Sequence, residues 1–188
     1  MDAFEAIQRR KSIREFEDTA VPRETLQKLL EAARLSPSAK NIQPWHFIVV
    51  TDAEKRKALS KGLFAKFLKN SPSVIVLCGD EIASPDWYIV DVALAGENMV
   101  ITATDEGLGT CWVGSFDEKE VKSLLYIPDK LRVVALLAVG YAKEKVSVTR
   151  KILNLVRRRK TLSEISSWEK YGNKLDDGNK GVSDATSS

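Results

Sequence analysis

Apolar positions along the first 140 residues switch repeatedly between helical and extended spacing. From Asp2 to Arg10, Phe4, Ile7 and the nearby alanines share one helical stripe. Lys11-Ser12-Ile13-Arg14-Glu15-Phe16 alternates polar and apolar, as an extended segment does. A second helix is predicted from Pro22, a residue suited to a first helical turn. Leu26, Leu29, Leu30, Ala33 and Leu35 form its buried face, and Pro37 stops it. His46 to Val50 is a short β-rich run, and Thr51 with Glu54 predicts a capping box at the next helix. Ser73 to Leu77 is continuously apolar and predicts a buried strand.

Trp87 to Asp105 predicts a helix that is apolar nearly all round, through Ile89, Val90, Val92, Leu94, Met99, Val100 and Ile101. Such a helix must be covered on most sides, which suggests a partner chain as much as the chain's own sheet. Gly107 and Gly109 end it. Cys111 to Val113 is strand-like. Asp117 to Tyr126 is helical with Asp117 and Glu120 as a cap signal, and Leu131 to Gly140 is a long apolar strand. Beyond Tyr141, Lys143 to Lys160 is basic. Thr161 to Tyr171 predicts a short amphipathic helix with Thr161 and Glu164 as a capping box and Gly172 as its stop. Asn173 to Ser188 has hardly an apolar residue and predicts a disordered tail. Strands and helices are interspersed without a strict βαβ rhythm, so the expected class is α+β, with one domain over residues 1–172 and a tail over 173–188.

Composition narrows the chemistry. With 188 residues, 44% hydrophobic and 29% charged, wholesale disorder is excluded and a real core is affordable. Two cysteines, Cys78 and Cys111, exclude a disulfide scaffold and a Cys-rich zinc site. A single histidine, His46, leaves no His-based metal centre and removes most Ser-His-Asp arrangements, so no metal is expected. A net charge of +3 is too weak to imply nucleic acid. Met1 to Ala6 has no apolar leader. The longest apolar stretch is interrupted by Asp91, Glu97 and Asn98, short of a membrane span. The expectation is a cytoplasmic protein with no membrane partner and buried, reduced thiols.

Four segments could carry chemistry. Arg10, Ser12 and Arg14 share one face of an extended segment beside Lys11. Forked guanidiniums and a hydroxyl suit phosphate oxygens, against the plainer reading of a solvated charged edge. Ser36 to Trp45 is crowded with Ser, Asn and Gln that can reach the polar edge of a heterocycle, against an ordinary connector built of turn residues. Gly107 to Gly114 fits neither G-x-G-x-x-G nor a phosphate loop. Its glycines could admit a flat ligand close to the backbone, or simply end a helix. Arg157 to Lys160 lacks the aromatic interleaving of a nucleic-acid site. His46 reads as a strand residue and Cys111 as an inert buried thiol. No carboxylate pair stands out.

In this order the segments resemble the nitroreductase family of flavin enzymes. The matching residues are Arg10-Lys11-Ser12-Ile13-Arg14-Glu15-Phe16, Ser36 to Phe47, Gly107 to Gly114, and Arg159-Lys160-Thr161-Leu162 with Trp168-Glu169 after them, a similarity spanning about residues 2–172. The resemblance implies a nitroreductase-like fold, a central mostly antiparallel sheet flanked by helices, in an intertwined homodimer with FMN at the interface. Carried over by position, Arg10, Lys11, Ser12 and Arg14 would hold the phosphate and ribityl chain, joined by Arg157 and Arg159. Pro37, Ser38, Ala39 and Asn41 would come from the other subunit to line the isoalloxazine. Gly114 and Ser115 would bring backbone groups near its N5. The implied activity is ping-pong transfer from NADH or NADPH through FMN to a small-molecule acceptor such as a nitroaromatic or quinone, with the flavin rather than a catalytic side chain carrying the chemistry. The alternatives are a flavin-binding relative that is not a reductase of this kind (flavin-fragmenting or reductively dehalogenating) or, further off, a basic nucleic-acid module. The chain departs from the family at Gly62 to Asn70. Phe64 and Phe67 fall where larger members carry an asparagine and a lysine for the pyrimidine edge, with Lys66 and Asn70 displaced nearby. Lys11 stands where arginine is common and Thr161 where proline is usual.

Overall fold

The computed structural model describes residues 1–143 and 159–173, which fall in two units, Met1–Lys143 and Glu144–Ser188. Most of the basic run, with Arg157, and nearly all of the predicted tail lie outside the described residues. The first unit holds α1 (Ala3–Arg9), α2 (Arg23–Arg34), β1 (Trp45–Val50), α3 (Ala53–Leu59), β2 (Ser73–Asp80), α4 (Tyr88–Asp105), β3 (Gly109–Val113), α5 (Glu118–Leu125) and β4 (Leu131–Gly140). The second holds α6 (Leu162–Ile165). No helix among the described residues is long and apolar enough to cross a membrane.

The four strands form one antiparallel sheet in the order β1-β2-β4-β3, the α+β architecture expected. Central strand β2 explains its unbroken apolar run, because both its faces are buried. Val74, Val76 and Cys78 pack with Ile13, Phe16, Leu59, Leu68 and Val121 on one side. Ile75 and Leu77 pack with Leu26, Leu29 and Ala33 of α2 and Val92, Ala95, Met99 and Val100 of α4 on the other. Both cysteines are buried free thiols, and burial pushes the Cys78 thiol up to about 11.

Several local expectations shift. Asp52, not Thr51, caps α3, its Oδ1 accepting from Lys55 N–H at 2.8 Å, since a carboxylate is a strong N-cap and sits well at the positive helix end. Leu35 lies past the last turn of α2 and is exposed, as are Phe4 and Ile7, leaving Ala6 alone to anchor α1. The helix predicted over Thr161–Tyr171 is only Leu162–Ile165. Its capping box forms, but the Ser166 hydroxyl bonds back to the Leu162 carbonyl and the chain turns extended. Helix α4 ends as expected at Gly107, whose positive φ of 73° allows Leu108 N–H to reach back to the Ala103 carbonyl at 2.8 Å.

Two contacts fix the loop after β3. A β-bulge between β2 and β4 leaves Val134 unpaired, and Val133 N–H donates instead to Glu118 Oε1 at 2.9 Å. Arg132 grips both oxygens of Glu118, each at 2.9 Å, and Glu81 at 3.0 Å. This docks the start of α5 on the sheet. From the other side, Gly62 lies against the Ser115 carbonyl so closely that a Cβ would stand 1.8 Å from its oxygen.

Gly62→Ala must therefore displace backbone rather than a side-chain tip. It is expected to cost about 1–3 kcal/mol in chemical denaturation, the range for overpacking. The Arg132 guanidinium holds the Glu118 carboxyl below its ordinary value of 4.5. A carboxyl lowered on folding adds stability that is present above that ordinary value and lost as pH falls through the folded one. Wild type should accordingly exceed Glu118→Gln in stability at neutral pH, and the gap should close as urea titrations are taken below pH 4.5.

Candidate functional site

The residues singled out from the sequence gather at two different corners of the sheet. The first corner is the β3 edge. Leaving α1, the chain runs beside β3, with Ser12 paired in parallel to Thr110 and Ile13 N–H donating to the Thr110 carbonyl at 2.8 Å. Ile13 is buried against Gly109, which turns Ser12 and Arg14 outward. Arg10 is half-buried, and Lys11, Ser12 and Arg14 are exposed. Among the described residues, no carboxylate pairs with Arg10, Lys11 or Arg14. The Arg14 guanidinium lies over the Phe67 ring, 5.9 Å from its centroid, and Phe67 stacks on Phe16 at 6.5 Å.

Gly114 and Ser115 follow directly on β3. Gly114 is exposed, and a side chain there would meet nothing within 4 Å. Ser115 is half-buried, and its Oγ stands 3.5 Å from Phe64 N, a long contact. Phe64 is exposed, whereas Phe67 is committed to Arg14 and Phe16. The edge therefore carries cations and a hydroxyl on one segment and open backbone with an exposed aromatic on another. This donor set fits a ligand with a phosphate at one end and a flat ring at the other.

The second corner is the Ser36–Gln43 loop, which leads into β1. Its polar groups mostly fold the loop itself. Gln43 N–H donates to Ser38 Oγ at 2.9 Å, and Gln43 Nε2 reaches Asn41 Oδ1 at 3.2 Å. Lys40, Asn41 and Gln43 all have φ between 51° and 56°, a left-handed conformation that costs a non-glycine residue about 1–2 kcal/mol. Helix α4 holds the loop in place. Asp91 Oδ1 accepts from Ala39 N–H at 3.1 Å, and Asn98 Nδ2 donates to Ser36 Oγ at 2.6 Å. Pro37, Ser38 and Ala39 form, with Trp87 at the cap of α4 and Val90, Asp91 and Leu94 within it, an apolar hollow of about 300 Å³. A larger hollow of about 470 Å³ between α3 and α5 contains none of the residues predicted from the sequence.

The two corners are diagonally opposed. Asp80 N–H donates to the Pro44 carbonyl, and Trp45 aligns through Gly79 with Arg132 at the start of β4. Ser12 aligns through Thr110 with Val139 near the end of β4. The separation is about 20 Å along the strand and about 19 Å across it, roughly 28 Å overall. One chain does not bring Arg10–Arg14 and Pro37–Asn41 together. Arg159 is exposed in the second unit, and Arg157 lies outside the described residues.

Asp91, Asn98 and Gly62 are absent from the residues expected to matter. Asp91 and Asn98 read in sequence as mere interruptions of an apolar helix. A carboxylate and an amide seven residues apart, two turns on one face, were the available signal.

The Nitroreductase family model matches over residues 7–73 and 58–141. A protein of Archaeoglobus fulgidus, provisionally named an NADH dehydrogenase/NAD(P)H nitroreductase, is 36% identical over 152 residues, covering 77% of this chain and 87% of that protein. A nitroreductase family protein from Clostridium novyi superposes with a TM-score of 0.72 at 34% identity, over 95% of this chain and 99% of its own. An FMN-dependent nitroreductase from Clostridium difficile does so with a TM-score of 0.70 at 33% identity, over 82% and 96%. Matched by its family model over most of its length and by relatives above 30% identity, the chain belongs to the nitroreductase family.

Proposed function

We propose that the protein is an FMN-dependent NAD(P)H oxidoreductase, working by ping-pong transfer to a nitroaromatic, quinone or similar small acceptor. The observation that carries this reading is the β3 edge, where three cations and a hydroxyl without carboxylate partners stand on the same edge as the open backbone of Gly114 and Ser115. Arg10, Lys11, Ser12 and Arg14 bind the phosphate and ribityl chain by charge-assisted hydrogen bonds. Arg157 and Arg159 add cations to the same phosphate on sequence grounds. When bound, FMN supplies the two-electron acceptance and release that no side chain here offers. Gly114 and Ser115 admit the ring edge close to the backbone, where backbone dipoles favour an electron-rich ring.

Pro37, Ser38, Ala39 and Asn41 line the ring from a second copy of the chain. The support is geometric: an FMN laid out from ring to phosphate is shorter than the roughly 28 Å between the two corners of one chain. A homodimer with two such sites also gives cover to Trp87 at the α4 cap and to Ile89, Val90 and Leu94, which are exposed in the single chain.

Purified protein should be yellow, and NADH or NADPH should bleach it anaerobically. Bleaching by dithionite alone would turn the assignment toward a flavin protein that is not an NAD(P)H oxidoreductase, and a colourless protein that takes up no FMN would remove the flavin reading. Arg14→Ala deletes a charged hydrogen bond worth about 1.5–3 kcal/mol. Its Kd for FMN, measured by fluorescence quenching, should rise about 10- to 100-fold.

A further inference from the structure

Asp91 is 2% exposed in the first turn of a strongly apolar helix. One oxygen accepts Ala39 N–H at 3.1 Å, and the other, Oδ2, has no hydrogen-bond partner among the described residues. A buried carboxylate oxygen without a donor is costly, so such a group calls for a reason. The core supplies none, because Val92, Ala95 and Met99 pack without it. The loop does. Its left-handed run begins at Lys40, directly after the residue whose N–H Asp91 takes. Asn98, two turns further along α4, ties down Ser36 at the loop's start. Between them these two side chains fasten both ends of the Ser36–Ala39 segment to one face of one helix.

We infer that Asp91 is a positioning residue: by taking the Ala39 N–H it sets the Ser38–Asn41 loop in the one conformation that lines the ring. This rests on the flavin reading for what the loop lines, but the clamp itself does not. The hydrogen bond Asp91 makes goes to the loop, and it acts on the site through the loop. Removing it costs the loop its anchor and relieves the core of an unpaired oxygen. The two effects oppose one another in stability and not in function.

The test uses the full-length protein with Asp91→Ala and Asp91→Asn, the latter keeping a carbonyl oxygen for Ala39 N–H. In the flavin-free chain, hydrogen exchange at the Ala39 amide should be at least tenfold faster in Asp91→Ala and near wild type in Asp91→Asn. In the FMN-loaded protein, Asp91→Ala should change the visible circular dichroism of the flavin and shift its midpoint potential. The melting temperature should stay within a few degrees of wild type, and Asp91→Asn should restore both flavin signatures. Wild-type exchange at Ala39 in Asp91→Ala overturns the clamp. Faster exchange with unchanged dichroism and potential overturns the positioning role. Collapse of the melting temperature in both variants, with no recovery in Asp91→Asn, marks Asp91 as structural and also overturns it. Failure of the wild type to take up FMN is a separate result, which removes the flavin reading whatever the exchange shows.

Discussion

Helix α4 carries apolar side chains on more of its circumference than one sheet face can cover, and the architecture is arranged around that excess. Its inner stripe, Val92, Ala95, Met99, Val100 and Ala103, is fully buried against β2, β4 and α2. Gly96 brings the backbone so close to the sheet that a Cβ would stand 2.2 Å from the Trp112 ring. The opposite stripe, Ile89, Val90 and Leu94 with Trp87 at the cap, stays open to solvent in the single chain. Each such side chain gains about 1.5–3 kcal/mol when covered. The same helix also holds the Ser36–Gln43 loop through Asp91 and Asn98 and takes the chain's amino terminus at Asp105 with a 2.6 Å contact. One element thus sets the sheet, the loop and the open apolar face together.

This economy explains how the four strands of the described residues can support two separate corners at once. The two groups of candidate residues are held by different devices. Arg10 to Arg14 is pinned as an edge segment by Ile13 and Phe16, both buried, so that the intervening side chains turn outward. The loop is folded by its own polar groups and fastened to a helix. Neither device depends on the other within one chain. Each corner can therefore be well formed before any ligand or partner is present, which lowers the ordering cost of binding.

Periodicity made most of the fold legible, because burial sets the period. The unbroken run at Ser73–Leu77 read as a strand hidden on both faces, and Asp117 with Glu120 as a helix cap, and both form as read. Boundaries were less legible where two capping residues adjoin, as at Thr51 and Asp52, or where a serine pair competes for the backbone, as at Ser166 and Ser167. Burial itself misled at Phe4 and Ile7, since a helical stripe says that a face is apolar and not what covers it. The exposure of Lys11, Ser12 and Arg14 was legible from the alternation of polar and apolar positions, and their proposed ligand role only from the family resemblance. Asp91 was not: in one dimension it interrupts an apolar run, and only the packing of α4 against the loop shows which N–H it takes.

On the proposed reading, cofactor, loop and assembly are also linked thermodynamically. A ligand held by Arg10–Arg14 of one copy and Pro37–Asn41 of another binds the pair and not the separate chains. Free FMN must then stabilise the assembled state by RT ln(1 + [FMN]/Kd) for each site. By the same linkage, whatever loosens the apolar face of α4 weakens flavin retention, even at residues that never approach the ring. Trp87 and Leu94 are such residues, because they share with Pro37 and Ala39 a hollow that Asp91 also lines. The open face and the ring-lining loop are two sides of a single piece of packing. The strain stored at Lys40, Asn41 and Gln43 is tolerable only while that packing holds.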